Sequence, residues 1–63
     1  MKEFEVMSIV ELRKLLVDTI IEVQGRDYAL GWLHSAYSHG SRLLDENRDY
    51  VIDQIREYRS RAV

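Results

Sequence analysis

Between residues 9 and 24 the apolar positions recur every three or four residues. Wound at about 100° per residue, Ile9, Leu12, Leu16, Thr19, Ile20 and Val23 share one face. Val10, Val17 and Ile21 form a second stripe beside it, and Glu11, Asp18 and Glu22 fill the remaining sector. Ser8 stands three residues ahead of Glu11, the spacing of a capping box in which two side chains satisfy backbone N–H groups at a helix start. Gly25 offers a C-terminal stop. A first helix over about 8–24 follows. Asp27 is then expected to cap a second helix over about 28–39, and so short a connection predicts that the two run antiparallel.

On the second helix Ala29, Leu30, Leu33, Ala36, Tyr37, Gly40 and Leu44 fall in one broad arc, with Trp32 at its edge and His34, Ser35 and Ser38 opposite. This arc reads as core, its small residues allowing a neighbouring helix to approach closely. Ser38, His39, Gly40 and Ser41 predict a break. A third helix over about 45–60 has acids first (Asp45, Glu46, Asp49) and Arg56, Arg59 and Arg61 last, the order a helix dipole favours. Leu44, Val51, Ile52, Ile55, Tyr58 and Ala62 face one way, whereas Asp49, Asp53 and Glu57 make an acidic ridge. An alternative fuses the last two helices into one rod, since Leu30, Tyr37, Leu44, Val51 and Tyr58 recur every seven residues. The companion heptad positions, Gly40, Asn47 and Gln54, oppose it. At the N-terminus Glu3, Phe4, Glu5 and Val6 alternate with period two, which allows a short strand, while fraying or an extra helical turn are the other readings.

Composition turns these elements into an expectation about assembly. The 63 residues are 46% hydrophobic and 32% charged, with no cysteine and no proline. A chain this short buries only about 60% of the surface its unfolded form exposes, and without cysteine it has no disulfide or thiolate-metal staple. The expected fold is all-α, one domain over 1–63: an antiparallel helical hairpin plus a third helix, completed by homo-oligomerisation. The stripe of Val10, Val17 and Ile21 is covered either by the third helix or by another subunit. Tyr28 and Trp32, at the rim of the arc, and Tyr50, on the polar side of the third helix, are the aromatic candidates for a partner contact.

Most chemistry is missing. No apolar run has the length of a secretory signal or a membrane span, so the expected compartment is the cytoplasm. His34 and His39, five residues apart, point about 140° away from each other on a helix and do not share a metal. The Ser–His neighbours lack an orienting acid and an oxyanion hole, and the paired carboxylates sit where nothing raises a pKa. No phosphate-binding glycine pattern occurs, and no cofactor is expected. With a net charge of −2 and no basic half, nucleic acid is a weak partner.

A strand, a helix, a glycine turn and a second helix over about residues 2–40 resemble the ribbon-helix-helix repressors in architecture alone. That family's strand presents basic or amide side chains to bases, whereas this one offers Glu3 and Glu5, or Phe4 and Val6. The second helix has no Arg, Lys, Asn or Gln between Tyr28 and His39, which also weakens a helix-turn-helix reading. A small dimeric DNA-binding regulator is therefore the alternative. The favoured reading is a non-catalytic protein–protein interaction module that self-associates and binds, inhibits or regulates a larger protein, with Val10, Val17, Ile21, Tyr28, Trp32 and Tyr50 as contact residues. In general style the chain looks like the accessory proteins of phages and mobile elements that inhibit a host enzyme, a likeness that assigns no residues.

Overall fold

The computed structural model describes residues 3–38 and 42–62, and among them it is helical throughout its regular structure, with four helices and no strand. They are α1 (Ile9–Gln24), α2 (Arg26–Tyr37), α3 (Leu43–Glu46) and α4 (Arg48–Ser60).

The start of α1 follows from two side chains. Ser8 Oγ accepts the Glu11 N–H at 3.1 Å and Glu11 Oε1 accepts the Ser8 N–H at 2.8 Å, which closes the capping box. Gly25 ends the helix at φ +94°, a conformation that costs other residues strain. Its N–H donates to the carbonyl of Ile21 at 2.8 Å and its own carbonyl accepts the Ala29 N–H at 3.1 Å. One glycine thus closes α1 and opens α2, so α2 begins at Arg26 rather than Tyr28. Asp27 lies inside the first turn, where its charge suits the helix dipole, but no side chain caps the start of α2.

The expected third helix is divided. Asn47 takes an extended conformation (φ −110°, ψ 92°) and its side chain accepts the Tyr50 N–H at 3.0 Å, making it the N-cap of α4 and separating α3 from it. A rod running unbroken through Asn47 is excluded on the same ground. Ser38 caps the end of α2. The rest of the expected break, with His39 and Gly40, lies outside the described residues.

Leu12, Leu16 and Ile20 of α1, Ala29 of α2, Leu44 of α3, and Val51, Ile55 and Tyr58 of α4 form the core. Each large side chain there contributes about 1.5–3 kcal/mol by leaving water. The hydroxyl of Thr19, buried beside them, donates to the Leu15 carbonyl at 2.7 Å and so carries no unpaired group inward. α1 is the central element and packs against α2, α3 and α4. Ala62, expected on the apolar face, is exposed and lies past the end of α4.

Residues 3–6 form a turn, so the short strand that the alternation allows is absent there. Arg48 holds this segment against α4 through the carbonyl oxygens of Phe4 and Met7. Such backbone acceptors, engaged by an arginine fork, are not available for strand pairing in the same direction. The molecule measures 31 × 30 × 14 Å between Cα extremes. Fourteen ångströms is about the depth of two packed helices, which leaves two broad faces.

Candidate interaction surface

The stripe beside the main face of α1 remains uncovered by α4. Val10 is 59% exposed, Ile21 is exposed, and Val17 is half-buried. Val10 and Val17 line a shallow groove of about 420 Å³ together with Arg13, Lys14 and Asp18 of the same helix and Leu33 and Tyr37 of α2. Leu33 and Tyr37 continue into a neighbouring depression with His34 and Ser38. Leu30, one turn before His34, is 65% exposed.

Leu30, Leu33 and Tyr37 were expected in the core. Only Ala29 is fully buried on this helix, with Trp32, Leu33 and Ala36 half-buried. A single helix contact covers an arc of about 100°, and Leu30 lies that far round from Ala29. The width of the apolar arc was the sequence signal that some of it faces outward.

At the mouth of the groove Arg13 is ion-paired with Asp45, whose Oδ1 also accepts the Tyr37 hydroxyl at 3.3 Å. This junction ties α1, the end of α2 and α3 together. Its members are separated by up to 32 positions and carry no local pattern.

Tyr28 and Trp32 lie elsewhere on α2 and line a different depression with Asp27, Gly31 and Ser35. Both rings meet Tyr58 edge-on, at centroid distances of 6.2 and 6.4 Å. The phenol oxygens of Tyr28 and Tyr58 are 2.9 Å apart, and the Arg61 guanidinium lies 4.6 Å from the Tyr58 ring centroid. Burial, followed by the hydrogen bond with Tyr28, pushes the Tyr58 phenol up to about 12. The hydrogen bond from Tyr58, followed by Arg61, holds the more exposed Tyr28 phenol below its ordinary value. Tyr28 and Trp32 are therefore edge residues of an internal aromatic cluster, with Tyr28 still 43% exposed.

Tyr50 departs from expectation. It is half-buried and packed against the core, so it is not the freestanding aromatic that its place on the polar side of α4 suggested. Tyr50 lies in the first turn of α4, one residue before the buried Val51, where α3 and α4 meet.

The arginines of α4 and Arg61 at its C-cap are engaged by their own chain. Arg48 holds backbone carbonyls, Arg59 pairs with Glu3 at 2.9 Å, Arg61 pairs with Glu57 at 3.1 Å, and Arg56 lies 5.6 Å from the Phe4 ring centroid. This surface is not a row of free cations for phosphates. Among the described residues no three His, Cys, Asp or Glu side chains converge as a metal site, and no helix is long and apolar enough to cross a membrane. Comparison with protein-family models, curated proteins and solved structures finds no match for this chain.

Proposed function

We propose that this chain is a non-catalytic protein–protein interaction module of the cytoplasm, which self-associates and binds a larger protein as an inhibitor or regulator. The observation that carries the reading is the apolar strip of Val10, Val17, Leu33 and Tyr37, flanked by the exposed Ile21 and Leu30, which the described residues leave as an open groove. Within this reading α1 and α2 form an antiparallel hairpin, supported by the first half of α1 and the last turn of α2 lining the same groove.

Leu30→Glu and Val10→Glu test the reading, because both positions are exposed and a carboxylate there does not disturb the core. Light scattering should report an assembly for the unaltered chain and single-chain mass for each variant, with helicity by circular dichroism unchanged. Variants that keep the unaltered mass would show that this face is not the contact.

A further inference from the structure

The groove carries information about what seats on it. Lys14 and Asp18 are both exposed, both line it, and neither has an ionic partner among the described residues, unlike Arg13, Arg42, Arg59 and Arg61. The apolar stripe runs from Val10 to Ile21, so its midpoint falls between Leu15 and Leu16. Lys14 and Asp18 are centred on Leu16. The apolar and charged patterns thus share one centre on α1.

Resting on the self-association proposed above, we infer that the groove receives the same groove of a second copy, with the two α1 helices antiparallel about a two-fold axis that passes the exposed side of α1 between Lys14 and Val17. In that arrangement Val10 of each copy lies against Ile21 of the other, Val17 against the aliphatic stem of Lys14, and the Lys14 ammonium reaches Asp18 across the axis. A parallel pairing stacks Lys14 on Lys14 and Asp18 on Asp18, which repels. Glu11, on the same side of the helix as Asp18, is already held by Ser8 and does not compete for the lysine. Leu30, Leu33 and Tyr37 of α2 extend the apolar seam beyond α1.

A reciprocal charge exchange tests the geometry. Lys14→Glu alone places two acids together at both ends of the dimer, and Asp18→Lys alone places two bases together. Each variant should weaken dimerisation roughly tenfold, as loss and reversal of two rim pairs does. An equimolar mixture of the two variants restores both contacts. The introduced acid of one chain then meets the introduced base of the other, and the remaining Lys14 meets the remaining Asp18. The double variant in one chain restores them too. Sedimentation equilibrium should give both samples a dissociation constant near that of the unaltered chain. Unaltered dimerisation in the single variants, or weakening that mixing does not repair, overturns this arrangement while leaving self-association standing. A monomeric unaltered chain overturns both.

Discussion

Arg48 and Phe4, 44 residues apart, are joined by a 2.7 Å hydrogen bond from Nη2 of the arginine to the phenylalanine carbonyl oxygen. The other guanidinium nitrogen reaches the Met7 carbonyl at 2.6 Å, and Arg59 adds a forked pair to Glu3 at 2.9 and 3.2 Å. The Phe4 ring lies beneath the guanidinium groups of Arg56 and Arg59, at 5.6 and 5.5 Å. Removing Arg48 leaves the partly buried Met7 carbonyl without its donor and the Phe4 carbonyl with the Met7 N–H alone, at 3.4 Å. Arg48→Ala should therefore cost about 1–3 kcal/mol in urea unfolding and speed amide exchange at residues 3–7. Arg48→Lys should recover only part of this, because one ammonium does not reproduce the fork.

The core is small enough for one truncation to matter. Leu16 and Ile55 are fully buried, and replacing either with Ala should cost about 2–5 kcal/mol. A 63-residue domain has about 3–9 kcal/mol in all. Either variant should lose most of its helicity in low urea when compared with the unaltered chain at equal concentration.

Tyr58 gives the protein an alkaline limit. Its folded pKa of about 12 lies above the ordinary phenol value of 10. Between those values the unfolded chain has released the proton that the folded chain keeps, so rising pH favours unfolding. The stabilisation is intact below pH 10 and declines towards 12. Tyr28 contributes in the opposite sense, its lowered value favouring the folded state as it ionises. Phenolate absorbance should show one late-titrating tyrosine, and Tyr58→Phe should remove that step.

The capping box predicts behaviour in acid. Hydrogen bonds from the Ser8 backbone and side chain hold the Glu11 carboxyl below its ordinary value, and Arg59 does the same for Glu3. Stability from both groups is present above the ordinary carboxylate range and is lost as pH falls through the lowered values. Glu11→Gln should flatten that acid limb in thermal melts. Ser8→Ala should cost about 0.5–2 kcal/mol at neutral pH.

The α1 boundaries, its buried face and its capping box were readable in the sequence, because Ser8, Glu11 and Gly25 act through neighbours three or four residues away. The break at Asn47 was missed although Asn is a good N-cap, since the heptad of Leu30, Tyr37, Leu44, Val51 and Tyr58 runs across it without a fault. The N-terminal alternation of Phe4 and Val6 suggested a strand, but the partners of Phe4 are Arg48, Arg56 and Arg59. Pairing across more than forty residues leaves no periodic trace. The surface stripe was visible as a surplus of apolar positions, whereas its continuation through Leu30 and Tyr37 required knowing that Ala29 is the one fully buried residue of α2. Tyr50 was misplaced for the same reason as the break: its surroundings depend on where α4 begins.

The central claim is that the exposed face of α1 and α2 is an interface, and the solution mass of the unaltered chain tests it most directly. Light scattering from micromolar to millimolar concentration, with circular dichroism on the same samples, should show a helical assembly of at least twice 7.5 kDa that dissociates only on dilution. A fully helical species of 7.5 kDa at every concentration would contradict the claim.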